Sequence, residues 1–270
     1  MDGFEWIVLL LSGYWALRFL RKWYRALRDG WPGRRTKFAR TVLEWLPAAA
    51  LVIIAFVLTA LASFDVVSDF QYILLYLALG FAWIAAGMQL LPYCLDLSWR
   101  DDALERNNRA ALFAVSGGFL GFALIYAGAN VGDGPGWWCV LFAGGLGTAS
   151  YLLLMMLVGA FGHLPERITV ERDVPAGIRF GLYLLASALL LARASAGDWT
   201  SFCATVVEFL DGWPVLPLTA LAIAVERYYL SREAGAPSAA VWGALYVALA
   251  VLGILLLPPL RENPLYGGAP

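Results

Sequence analysis

The chain has 270 residues, of which 61% are hydrophobic and 14% charged, where a soluble domain is roughly half apolar and a quarter charged. That balance excludes an ordinary water-soluble globule and predicts an integral membrane protein. The formal net charge of −1 conceals a strong segregation of charge along the chain, so information lies in the distribution rather than the total.

The opening stretch "MDGFEWIVLLLSGYWALRFLRK" places acids before its apolar run and bases after it, the reverse of a secretory signal. Because a helix needs about 20 apolar residues to cross the hydrocarbon core, eight runs are candidate spans. They cover 4–20, 43–63, 71–92, 110–129, 137–161, 176–194, 213–230 and 239–257. The first is short and ends in "RFLRKWYRALR", so it either crosses or lies in the interface. The stretch "TSFCATVVEFLDG" at 200–212 is too short to cross and reads as an interfacial helix.

Nine of the 19 Lys and Arg residues fall between Arg18 and Arg40, and a short connection that basic is retained in the cytoplasm. Alternating from there, the connections with Arg100, Arg106 and Arg109, with Arg167 and Arg172, and with Arg227 and Arg232 are also cytoplasmic. The opposite connections hold Asp65, Asp69, Asp133 and Asp198 without Lys or Arg. Trp137, Trp138, Trp199 and Trp213 fall at the outer ends, where indoles settle at headgroup level. Both termini are therefore expected outside.

Cys94, Cys139 and Cys203 stand apart in or beside apolar runs and read as small hydrophobes. His163 is the single histidine. Neither type supplies the convergent ligands or the base and nucleophile that metal or hydrolytic chemistry needs. The expectation is no cofactor, no metal and no enzymatic activity. The basic segment 18–40 carries no nucleic-acid signature and is expected to contact anionic lipid.

Two stretches echo each other. "ERNNRAALFAVSGGFLGFALIYAGANVGD" begins at Glu105, and "ERDVPAGIRFGLYLLASALLLARASAGD" begins at Glu171. Glu105, Arg106 and Ala110 match Glu171, Arg172 and Ala176 at a spacing of 66 residues. Each copy follows another span, so the unit is two helices and the repeat is parallel. The expected fold is all-α: a polytopic transmembrane bundle of about eight helices with a tandem parallel two-helix repeat. Three segments follow: 1–69 with the basic loop, 70–199 as the duplicated core, and 200–270 with the interfacial helix and the last helical pair.

On Asn107, Asn108, Ala110, Ala111, Ser116, Gly117, Leu120 and Gly121, and in the second copy Ala176, Gly177 and Gly181, the chain resembles the bacterial membrane family known as domain of unknown function 350. The resemblance runs from about Phe70 to Trp199 and departs at Arg193, where the family pattern has Asn. The resemblance implies a small multi-pass protein of a bacterial inner membrane and brings no assigned activity.

Four sets of candidate residues follow. Ala110, Ala114, Gly117, Gly121 and Gly128 share one side of the fourth span, and Ala143, Gly144, Gly147 and Thr148 lie on the fifth; small residues let helix backbones approach closely. They are expected to pack spans four and five together, with a seam between copies or a pore-lining face as alternatives. Ser116, Asn130, Thr148, Tyr151 and Arg193 form a candidate polar route. Asp101, Asp102, Glu105, Asn107 and Asn108, with Asp96, form a candidate cytoplasmic contact for a divalent cation or a polyamine, set against a plain helix-starting turn. Arg179 and Arg193 mark the two ends of one stripe on the sixth span, expected to face protein while Leu184, Leu185, Leu189 and Leu191 face lipid. Near helix ends both arginines are expected to snorkel to headgroups, with interior pairing or anion contact as the alternative, and Glu226 is interfacial on this reading. The function expected is an assembly or envelope-maintenance module with a second copy or another membrane protein as partner; an ion channel or small-solute transporter is the alternative.

Overall fold

The computed structural model describes residues 1–29, 37–232 and 235–260. Part of the basic segment, with Arg34 and Arg35, and the C-terminal end from 261 on lie outside the described residues. Its long helices are α1 (Gly3–Asp29), α2 (Lys37–Ala60), α4 (Phe70–Leu95), α5 (Arg109–Gly128), α6 (Trp137–Gly162), α8 (Val174–Ala194) and α11 (Ala236–Leu256). Shorter helices are α3 (Phe64–Ser68), α7 (Leu164–Thr169), α9 (Phe202–Phe209) and α10 (Val215–Tyr228). The protein is an all-α membrane bundle.

Among the described residues seven helices are long and apolar enough to cross a membrane. The run predicted at 213–230 is broken instead. α10 has 14 residues, about 21 Å at 1.5 Å per residue, and reaches spanning length only together with Phe202–Gly212, from which it bends by 42°. Pro214 stands at the break. α9 has no buried residue, in keeping with an interfacial position for 200–212. α1 has 27 residues, or about 40 Å. Tyr72 at the start of α4 donates to Glu5 (3.1 Å) near one end, and Trp23 stacks on Trp99 (4.1 Å) toward the other. This first run is therefore long enough to traverse the bundle.

Local chemistry sets the helix starts. Asp69 accepts from the amide of Gln71, Asn108 from Ala110 and Ala111, and Asp173 from Ala176, each satisfying donors that a helix N-terminus leaves orphaned. His163 closes α6 with a left-handed φ of 51°. Its role is to turn the chain.

The connection before α5 and the one before α8 share a backbone pattern. Asn107 and Arg172 both adopt left-handed conformations, with φ of 52° and 58°. Asn108 N–H donates to Asp102 O as Asp173 N–H donates to Arg167 O, and Arg106 N–H donates to Asp101 O as Glu171 N–H donates to Glu166 O. These pairs place Arg106 opposite Glu171, one residue off the register that the two Glu-Arg pairs suggest. Side-chain identity and backbone geometry disagree here because the caps, not the Glu-Arg pair, fix where each helix starts.

α5 and α8 occupy the centre, while α1 and α11 hold many exposed apolar side chains, among them Leu10, Leu11, Leu17, Val241, Leu252 and Leu255. At the end carrying the acidic connections, three backbones are stapled together. Ala62 bridges Gly132, Gly197 N–H donates to Val131 O at 2.9 Å, and Trp199 N–H donates to Asp133 O at 2.7 Å. Gly132 and Gly197 have φ of 106° and 136°, a region that L side chains avoid. This accounts for the Gly-Asp on which both echoing stretches close.

Candidate functional site

The small residues of α5 meet α8, not chiefly α6. A Cβ on Gly117 would collide with the carbonyl of Gly181, one on Gly181 with that of Phe113, one on Gly177 with Ala110, and one on Gly128 with Ala192. Ala110 and Ala114 are fully buried in the same seam. The fifth span takes a secondary part. Gly147 leaves room for Ser195 Oγ (2.6 Å from an added Cβ) and Ile125, Gly144 lies against Ala129, and Gly121 receives the hydroxyl of Tyr151, with Ala143 buried on the same helix. The pairing expected between spans four and five is thus displaced. Small-residue spacing identifies a face but not the helix that it meets.

The five polar-route residues each bond to a different partner, and no two of them bond to each other. Ser116 donates to Leu112 O on its own helix (2.7 Å). Tyr151 donates to Gly117 O (3.3 Å), Thr148 accepts from Trp83 Nε1 (3.1 Å), and Asn130 donates to Tyr126 O (2.7 Å). Arg193 reaches Pro258 O (2.6 Å) at an exposed edge.

The acidic turn is used in the same way. Asp102 is buried, accepts from Ser98 N–H (2.8 Å) and pairs with Arg106 (2.9 Å). Asp101 accepts from Ser98 Oγ (2.9 Å), Glu105 pairs with Arg100 (3.0 Å), and Asp96 and Asn107 take the left-handed turns. Asn108 caps α5 and ties it to Ile168 O (2.6 Å). Among the described residues no three His, Cys, Asp or Glu side chains form a metal site.

A cluster that sequence reasoning missed lies at the base-rich end. Arg179 is fully buried and grips Glu226, itself 2% exposed, through Nε to Oε1 at 2.6 Å and Nη2 to Oε2 at 2.7 Å. Arg167 reaches the same carboxylate (2.8 Å) and pairs with Asp173 (2.6 Å). The Arg179 guanidinium also lies over the Tyr229 ring at 4.6 Å, a favourable cation–π placement. Snorkelling of Arg179 gives way to interior pairing: burial is tolerated because two cations and two carboxylates neutralise one another. Farther along the Arg179 stripe, Tyr183 hydrogen-bonds Thr219 (2.9 Å), so this part faces α10. Leu184 and Leu191 are buried rather than lipid-facing, since α8 is enclosed on several sides. The sequence signal that exposes the cluster is an arginine and a glutamate, each inside an apolar run, near the same end of two helices.

At the opposite end the backbone staple borders a cavity of about 50 Å³ lined by Asn130, Asp133, Ser195, Asp198, Trp199 and neighbouring residues. Asp198 accepts from the Asp133 amide (2.7 Å). Burial, and secondly the charge of Asp198, push the Asp133 carboxyl above the usual carboxylate range. The Ser195 hydroxyl is buried and without a hydrogen-bond partner. Asp133 and Asp198 bring carboxylates to these walls, beside the amide of Asn130 and the indole of Trp199.

No curated protein and no solved structure matches the chain. A family model, Domain of Unknown Function (DUF350), matches residues 41–195. The match begins well before Phe70 and so takes in α2 as well as the helices that carry the resemblance. Covering more than half of the 270 residues, from α2 through α8, it makes this multi-pass membrane protein a member of the DUF350 family.

Proposed function

We propose that the protein is a non-enzymatic module of a bacterial inner membrane that holds a membrane-protein assembly together, its core built from a duplicated two-helix unit. The observation that carries this reading is the α5–α8 seam, where Gly117, Gly177, Gly181 and Gly128 bring backbone against backbone. Such contact favours a rigid scaffold. The partner is a second copy or another membrane protein, and anionic lipid meets the basic segment 18–40. A channel would need Ser116, Asn130, Thr148, Tyr151 and Arg193 to face one space, and their bonds to five different partners weigh against it.

Mass measurement of the intact complex in detergent tests the reading. A protein component beyond the 29.5 kDa chain is expected, and a lone chain carrying only lipid sinks the assembly role.

In the same proposal the basic end faces the cytoplasm and both termini lie outside, by the bias of Lys and Arg. The native cysteines report it: Cys203 is exposed in α9 at the acidic end and Cys94 half-buried at the basic end. A membrane-impermeant maleimide applied to spheroplasts should label the protein, and Cys203→Ser should abolish that labelling while Cys94→Ser leaves it intact. Labelling through Cys94 alone reverses the orientation.

A further inference from the structure

Two side chains on the wall of the acidic-end cavity, Tyr76 and Asn130, are each 5% exposed, and each holds an oxygen that the protein leaves unpaired. The Tyr76 hydroxyl takes part in no hydrogen bond among the described residues, although the backbone carbonyl of the same residue accepts from Tyr126 (2.7 Å). Asn130 donates its amide N–H to Tyr126 O, and its Oδ1 receives no donor. Neither oxygen is sealed in by protein, unlike the hydroxyls of Ser195 and Tyr246, so each opens on the cavity that its residue lines. Asp133 lines the same space, its carboxylate accepting from the Phe64 amide. Among the described residues no Lys or Arg lines it. Helix polarity has the same sign: α5 ends at Gly128 and α8 at Ala194, and Ala129, Ala194 and Ser195 lie on the wall, so the negative ends of both central helices meet there.

We propose that this cavity binds a monovalent alkali metal ion, held by Tyr76 Oη, Asn130 Oδ1 and the Asp133 carboxylate, directly or through water. Hydroxyl, amide and carboxylate oxygens are hard donors suited to a hard cation. Charge selects the monovalent class. A divalent ion is usually held by several carboxylates, and among the described residues no three His, Cys, Asp or Glu side chains could hold one together. Neutral oxygens that replace the hydration shell suffice for an alkali ion, and in membrane proteins the C-terminal ends of helices help to coordinate one. Size agrees with this choice. A cavity of about 50 Å³ holds a few water-sized bodies at roughly 10–15 Å³ each, room for one ion with about two or three waters and none for a bulky organic cation. Sodium and potassium present the same chemistry to these oxygens.

The test is thermal unfolding of the full chain in detergent and mildly alkaline buffer, with sodium or potassium chloride replacing N-methylglucamine chloride at constant ionic strength, so that screening does not change. An ion that binds the folded protein alone raises its melting temperature with concentration. Rising sodium or potassium should therefore raise the melting temperature along a saturating curve, and the salt with the lower midpoint identifies the preferred ion. Tyr76→Phe removes one ligand and no internal hydrogen bond, so it should melt with the wild type in N-methylglucamine and need at least threefold more alkali ion to reach the half-maximal shift. Asp133→Asn, whose remaining side-chain oxygen can still accept from Phe64, should need at least tenfold more. Equal melting in all three salts, the result expected of a cavity that holds water alone, overturns the proposal. So does an unchanged midpoint in either variant.

Discussion

Replacing Glu226 by leucine should cost about 3–5 kcal/mol of stability, the range seen when one partner of a buried ion pair is removed. Arg179 would keep its charge in a fully buried position with both of its carboxylate contacts gone. Arg167 would retain Asp173. The double variant Arg179→Met with Glu226→Met should recover most of the loss, because apolar replacement of both partners removes the stranded charge together with the attraction. Thermal unfolding in detergent, followed by circular dichroism, reads the comparison. If the single variant melts with the wild type, the cluster contributes nothing to stability; if the double variant melts as low as the single one, stranded charge is the wrong explanation.

Gly117→Ala and Gly181→Ala should each destabilise the protein by about 2–3 kcal/mol, near the upper end of ordinary overpacking costs. One methyl suffices because the obstacle is main chain, the carbonyl of Gly181 in one case and of Phe113 in the other. Backbone of a central helix cannot rotate aside as a side chain can. Gly121→Ala meets only the end of the Tyr151 side chain, so it should cost less. Gly145→Ala meets nothing within 4 Å and serves as the control, with a melting temperature at or slightly above wild type since alanine favours helix. Equal melting of Gly117→Ala and Gly145→Ala would falsify the close-contact account of the seam.

These two predictions also mark where the sequence was legible. Apolar run length located the long helices because crossing a bilayer is a one-dimensional requirement, met residue by residue along the chain. The stripe of Gly117 and Gly121 was legible for the same reason, as spacing on one helix. Its partner was not, because pairing is a property of two helices, and Gly177 with Gly181 carried the matching signal 60 residues and more downstream. The burial of Glu226 was not legible from its place near a helix end. Depth in a bundle depends on what surrounds that end, and Gly162, Arg167 and Arg179 close over this one. The break at Trp213 and Pro214 was legible only as a proline; that α10 is too short to span by itself followed from where its helical hydrogen bonds begin.

The backbone staple between Leu61–Ala62, Val131–Asp133 and Gly197–Trp199 bears on how the protein meets bilayers of different thickness. A helix bundle can adjust to a thinner or thicker hydrocarbon layer by sliding its members or by tilting them. Main-chain bonds at one end fix the axial positions of the helices leading into these connections, α2, α5 and α8, so sliding within the core would break them. The core therefore presents one hydrophobic height, and mismatch is absorbed at its periphery, by lean of α1 and α11 or by deformation of the lipid around them.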